Sequence, residues 1–275
     1  VVETDITKVV KKETPDVIFI GPFFPPIPMW KNLNKVKIPK AIVFSDPHTD
    51  AKIKLKYIEE NRIDLVLFIC KHGSTLPMIK EWIKGKNVNI GWLPWSVNTT
   101  VFRDYGLPRN FDVVSSGNCS PRIYPFRTAI RNTLRRISDI KFSMPEHANI
   151  ALSRGVSPSE ALIRENYARF LSQSKIFIFG SSIYNYPLMK YTEGMACNTL
   201  VMAPMPKDGA YLHFVPGENF VEVNQKNFLA KIRYYLQHDE ERRQIALNGM
   251  ETARKYHSTE IRARQLMTYL KSIIY

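Results

Sequence analysis

The stretch Lys190-Tyr191-Thr192-Glu193-Gly194-Met195-Ala196-Cys197-Asn198-Thr199-Leu200-Val201-Met202-Ala203-Pro204 decides how the chain is read. Its first part has the residue types of a short helix, with Glu193 near the start and Met195, Ala196 and Cys197 as the packed face. Asn198 marks a tight turn, and Thr199–Ala203 follows as a short apolar strand. A helix that turns directly into a buried strand is half of an alternating α/β repeat.

Working outward, the same alternation recurs. Strands are expected at Phe111–Ser116, Asn149–Leu152, Lys175–Phe179, Thr199–Ala203 and Phe220–Val223, and an earlier series at Asp16–Gly21, Ala41–Ser45, Asp64–Cys70 and Val88–Leu93. Polar or amphipathic stretches separate them. Pro94–Pro108 has turn residues and aromatics but no period, and is expected to be the hinge. From Phe228 to Ile274 the spacing is helical with almost no breakers. The expectation is an α/β chain of two doubly wound lobes: residues 1–104, residues 105–255, and a C-terminal helix, 256–275, that packs back on the first lobe. Ligands of such sheets sit outside the carboxyl ends of the strands.

The 275 residues suffice for two lobes, and 44% hydrophobic with 12% aromatic content suffices for real cores. No run approaches the ~18 apolar residues of a membrane-spanning helix, and none reads as a secretory signal, so a cytoplasmic location is expected. Val1 in place of Met reads as a fragment or a processed form. Cys70, Cys119 and Cys197 form no CxxC pair and suit small buried thiols. The net charge of +14 calls for an anionic partner: nucleic acid, lipid head groups or a nucleotide diphosphate. The basic residues of Lys31–Lys40, Lys52–Lys56 and Lys80–Lys86 form no dense run with interleaved aromatics. Nucleic acid is therefore not expected, whereas a peripheral contact with an anionic membrane stays open. Most of these lysines are expected on solvated faces.

Three groups of residues can carry chemistry. Glu193 can accept both hydroxyls of a ribose or simply complement its helix dipole. Asp112-Val113-Val114-Ser115-Ser116-Gly117-Asn118-Cys119-Ser120-Pro121-Arg122 reads as a strand ending in glycine and opening onto a helix, a place where free N–H groups meet an anion. Arg122 stands at the helix entrance as its neutralising cation. Arg127, Arg131 and Arg135 recur every four residues as one stripe, more simply a solvated face than an anion site. In the first lobe, Asp46 and His48 follow a strand and can orient hydroxyl groups, although a lone histidine is more often structural. No Asp-x-Asp, GxxxxGK[ST] or GxGxxG motif occurs, which argues against a metal-diphosphate clamp, an ATPase and a dehydrogenase.

Lys190–Pro204 resembles the nucleotide-sugar motif of retaining glycosyltransferases of family 4 and their spore-maturation-protein-like relatives. The likeness continues in Lys207-Asp208, in Phe214-Val215-Pro216-Gly217-Glu218-Asn219-Phe220, and in His257-Ser258 and Arg262, so it covers most of residues 111–270. It implies the GT-B fold of two Rossmann-like lobes with a helical tail. It also implies a hexosyltransferase-type enzyme that moves sugar from a nucleotide-sugar donor to an unidentified glycan, lipid or protein acceptor, with retention and with no metal or other cofactor. By the resemblance, Glu193 binds ribose, Gly117, Asn118, Arg122 and Lys190 serve the donor, and Asn185, Asp46 and His48 lie near the sugar. The chain departs from the family in three places. Asn185 replaces a glutamate, Asn198 replaces a glycine in a turn that asparagine tolerates, and Asn118 and Ile123 leave Arg122 as the one loop cation carried over. These departures suit an alternative, a non-catalytic GT-B-like module that binds a nucleotide or glycan in a larger assembly.

Overall fold

Lys40–Phe44 and Leu65–Phe68 are buried at every position, the mark of parallel strands covered on both faces. The computed structural model describes residues 5–22, 30–146, 148–157 and 160–274. The chain divides into two units, Val1–Pro94 with Arg262–Tyr275, and Trp95–Ile261.

In the first unit a five-residue helix α1 (Ile6–Val10) precedes β1 (Ile18–Pro22). Then come β2 (Lys40–Phe44), α2 (Ala51–Glu60), β3 (Leu65–Phe68), α3 (Pro77–Ile83) and β4 (Asn89–Trp92). The strands pair in parallel in the order β1-β2-β3-β4. Ile42, Phe44, Val66 and Phe68 meet Leu55, Ile58 and Ile79 in its core. The part of the last helix, α10 (Thr259–Ile274), that belongs to this unit is stitched to β4. Tyr269 accepts the Trp92 N–H at 3.1 Å, and Gln265 donates to the Trp92 carbonyl at 2.7 Å. Gly91 lets them approach, since a Cβ there would lie 2.6 Å from Leu67 and 2.7 Å from Tyr269.

The second unit runs β5 (Phe111–Val114), α4 (Pro125–Leu134), β6 (Phe142–Ser143), α5 (Ala148–Ser153), α6 (Arg164–Ser172), β7 (Ser174–Ile178), α7 (Met189–Ala196), β8 (Leu200–Ala203), β9 (Val221–Glu222), α8 (Phe228–Gln237) and α9 (Asp239–His257). All pairings are parallel, in the order β6-β5-β7-β8-β9. Val113, Ile176, Ile178, Leu200 and Met202 form the core with Ile130, Ile232 and Ile245 from the helices.

One expected strand is wrong. Asn149–Leu152 lies inside the helix α5, and the edge strand is instead Phe142–Ser143. A four-residue apolar run does not distinguish strand from helix, and a two-residue strand has no pattern to read. The remaining expected strands are found with ends displaced by a few residues. Among the described residues no helix is long and apolar enough to cross a membrane.

Candidate functional site

The order β6-β5-β7 means that the chain leaves β5 to one side and returns to β7 on the other. The carboxyl ends of β5 and β7 therefore flank a topological switch point, where a crevice opens between two diverging loops. In the first unit the described strands lie in sequential order and contain no such point.

Arg127, in the first turn of α4, ties these two loops together. It is 3% exposed. Its Nε and Nη2 donate to the Gly180 carbonyl at 3.2 and 2.7 Å, and Nη1 donates to the Asn118 carbonyl at 2.9 Å. The guanidinium also covers the Tyr124 ring at 4.2 Å. Gly117, with φ 101°, threads past it: a Cβ here would lie 2.7 Å from Arg127 Nη1 and 3.3 Å from Lys190 Cε. A solvated face was the simpler expectation for this residue, and the structure overturns it, because the first of the three arginines in the stripe is buried and turned toward the sheet.

Lys190 is the second residue of α7, and its Nζ donates to Ser116 Oγ at 2.8 Å. Ser116 Oγ also lies 2.7 Å from the Tyr167 hydroxyl. Glu193 is 8% exposed, and no described residue donates a hydrogen bond to its carboxylate. Burial pushes the Lys190 ammonium below its usual pKa, an effect that the nearby Arg127 charge adds to and Glu193 opposes. Burial raises the Glu193 carboxyl, with Lys190 opposing. Two desolvated cations and one carboxylate without a hydrogen-bond donor thus stand at one crevice. Glu193 is the fifth residue of α7 and not in its first turn. This corrects the expected position and removes complementation of the helix dipole as its explanation.

Other expected residues are distributed as follows. Asn118 is exposed and enters the site through its carbonyl. Arg122 lies in an exposed turn before α4 and makes no hydrogen bond or ion pair with another described residue. β5 ends at Val114 and α4 begins at Pro125, so the expected direct passage from strand to helix is an irregular loop. Arg127, not Arg122, is the cation against Gly117. Arg131 and Arg135 line a cavity of about 270 Å³ beside Gly117, together with Cys119 and Glu146. Asn185, expected near a sugar, has its amide engaged within the protein: Ser181 Oγ donates to Oδ1 at 2.7 Å and Nδ2 donates to the Met205 carbonyl at 2.8 Å. Its φ of 55° fits a structural tie between loops. Cys70 and Cys197 are buried, while Cys119 is only half-buried.

α7 ends in a Schellman motif. Asn198, at φ 53°, donates its N–H to the Met195 carbonyl, and the Thr199 N–H reaches the Gly194 carbonyl. The asparagine takes the left-handed place that its sequence position required. Its side chain donates to Asp104 at 2.9 Å.

In the first unit, Asp46 has φ 41° at the end of β2, and His48 is exposed. Lys54 holds this turn: it is 0% exposed, and Nζ donates to the carbonyls of Ser45 at 2.7 Å and Asp46 at 3.2 Å. Burial raises the Asp46 carboxyl and lowers the Lys54 ammonium, each opposed by the other's charge. Lys40, 4% exposed, is likewise no solvated lysine. Their positions within lysine-rich stretches hid both. Among the described residues no three of His, Cys, Asp or Glu gather as metal ligands.

The profile of a family described as glycosyl transferase-like matches residues 130–268. No curated protein matches by sequence. Among solved structures, sucrose-phosphate synthase from Thermosynechococcus elongatus is similar with a TM-score of 0.68 and 15% identity, over 97% of this chain and 76% of that one. A glycosyltransferase from Rickettsia africae gives 0.66 and 15%, over 98% and 79%. HepE from Anabaena, solved with UDP-glucose, gives 0.65 and 13%, over 97% and 82%. The structural likeness establishes the fold, and the profile, which spans just over half of the chain, establishes the family. The protein therefore belongs to the glycosyl transferase-like family and is a glycosyltransferase of the GT-B fold.

Proposed function

We propose that the crevice between the β5 and β7 loops binds the nucleotide of a nucleoside-diphosphate sugar, with the diphosphate between Arg127 and Lys190 and the ribose on Glu193. The observation that carries this reading is the Glu193 carboxylate, buried without a hydrogen-bond donor beside the desolvated Lys190, which in turn neighbours Arg127. A ribose diol supplies the two donors that the carboxylate lacks. A diphosphate supplies the negative charge that relieves Lys190 and Arg127. The binding of UDP-glucose by HepE agrees with this donor class. The two cations stand in for a metal at the leaving group.

In the reaction we infer, the anomeric carbon–oxygen bond to the diphosphate breaks as the acceptor oxygen bonds to the same face. The departing phosphate oxygen takes the acceptor's proton. The configuration is retained, and the protein contributes charge stabilisation and positioning more than a dedicated base.

A thermal-shift screen against UDP, GDP, ADP, TDP and CMP, run on the wild type and on Glu193→Ala, tests the reading. A ligand at ~100 times its dissociation constant adds about 2.7 kcal/mol of stability. One nucleoside diphosphate should stabilise the wild type and lose that effect in the variant. Stabilisation by none of them, or equal stabilisation of both proteins, would refute the assignment.

A further inference from the structure

We propose that the hydroxyl of Ser116 donates a hydrogen bond to the diphosphate, and that Tyr167 is the positioning residue that turns this proton toward it. The inference rests on the reading of the crevice as a donor site, and it follows from counting protons.

Ser116 Oγ lies 2.8 Å from Lys190 Nζ and 2.7 Å from the Tyr167 hydroxyl. A hydroxyl has one proton and two lone pairs, whereas an ammonium has no lone pair and can only donate. Lys190 therefore fills one lone pair of Ser116. The Tyr167–Ser116 bond can be arranged in two ways. If Ser116 donated, the phenol proton would be left without an acceptor, because the Tyr167 hydroxyl has no other hydrogen-bond partner among the described residues. A desolvated donor left unmade is the costlier arrangement. If Tyr167 donates, both lone pairs of Ser116 are filled and its own proton is left for a third partner, an acceptor. Burial and the nearby Glu193 charge hold the Tyr167 hydroxyl well above the usual phenol range, so it keeps the proton it donates.

That acceptor can be characterised from its surroundings. Ser116 directly precedes Gly117, where the place of an added Cβ is bounded by Arg127 Nη1 and Lys190 Cε. An acceptor beside two cations is an anionic oxygen, and Ser116 makes no third hydrogen bond within the protein. A diphosphate oxygen meets the requirement. The neighbouring loop is irregular, so neither a Gly-rich pattern nor a basic residue marks Ser116 in the sequence.

The test measures affinity by calorimetry for UDP, GDP, ADP and TDP, and continues with the tightest binder and its parent nucleoside. Ser116→Ala should weaken the diphosphate about tenfold or more, as expected for a lost bond to a charged group, and leave the nucleoside within about threefold. The change should still cost severalfold in a Lys190→Met background, which separates the hydroxyl's own bond from its hold on Lys190. Tyr167→Phe should lose less, and the double variant Ser116→Ala/Tyr167→Phe should bind no more weakly than Ser116→Ala alone, whereas a merely structural tyrosine would add its own loss. A Ser116→Ala protein within about threefold of wild type, a loss that vanishes in the Lys190→Met background, or full additivity in the double variant would overturn the proposal. A wild type that binds none of the four diphosphates would instead overturn the donor-site reading beneath it.

Discussion

Arg127 Nη1 lies 2.7 Å from the point where a side chain on Gly117 would begin. The backbone there also has φ 101°, a conformation that L side chains rarely adopt. Gly117→Ala therefore faces both strain and a collision with the buried guanidinium that joins the two loops. We expect a loss of about 1–3 kcal/mol in unfolding free energy, read by urea titration. A nucleotide affinity at least tenfold weaker should accompany it, because the displaced group is the partner proposed for the diphosphate. Unchanged affinity in a folded Gly117→Ala protein would separate the glycine from the site.

The opposed shifts of Glu193 and Lys190 predict a bell-shaped pH dependence of nucleotide affinity. Glu193 is raised by burial, so it takes up a proton above the ordinary carboxylate range and stops accepting from a ribose as the pH falls. Lys190 is lowered by burial, so it loses its charge below the ordinary lysine range, and affinity declines as the pH rises. Glu193→Gln should abolish the acid limb, and Lys190→Arg the alkaline limb, since an arginine stays charged. Calorimetric affinities between pH 5 and 10 check both limbs. A flat profile would show that neither group meets the ligand in its charged form.

Asn198 ends the helix that carries both of these residues. Asn198→Ala places an alanine at φ 53° and removes the bond to Asp104. The cost should be about 1–2 kcal/mol, from the left-handed conformation and the lost hydrogen bond together. Asn198→Gly keeps the backbone freedom and should lose only the second part. Melting temperatures of the two variants decide it, and equal losses would show that the backbone conformation is not the constraint.

The strands were legible because most are apolar runs bounded by polar stretches; β3 and, after Lys40, β2 carry only apolar residues and are buried throughout. Asn149–Leu152 misled because four apolar residues carry no period of their own. Glu193 was legible as a residue, through its resemblance to a known motif, but not as a position, because where a helix begins depends on where its chain stops being extended. Arg127 was noticed but assigned to the wrong face, for a different reason. Its stripe looks the same whether it faces solvent or sheet, and the partners that settle it are the carbonyls of Gly180 and Asn118, which no side-chain pattern records. Lys54 was hidden likewise, since its acceptors are also main-chain carbonyls.

That burial makes Lys54 the most informative substitution in the first unit. Lys54→Met keeps the volume but removes the ammonium bonds to the carbonyls of Ser45 and Asp46, the second of which keeps the Thr49 N–H, and leaves the raised Asp46 carboxyl without its opposing charge. We expect a loss of about 2–4 kcal/mol at neutral pH. The sign of its pH dependence follows from Asp46. Its folded pKa lies above the unfolded one, and removing Lys54 lifts it further. The folded state then binds the proton more readily than the unfolded chain, so stability rises as the pH falls through the folded value toward the unfolded one. The deficit of Lys54→Met relative to wild type should therefore shrink between pH 7.5 and pH 5. Urea unfolding at the two pH values measures it. A deficit that stays constant or grows would mean that Lys54 acts through its carbonyl bonds alone, with no electrostatic hold on Asp46.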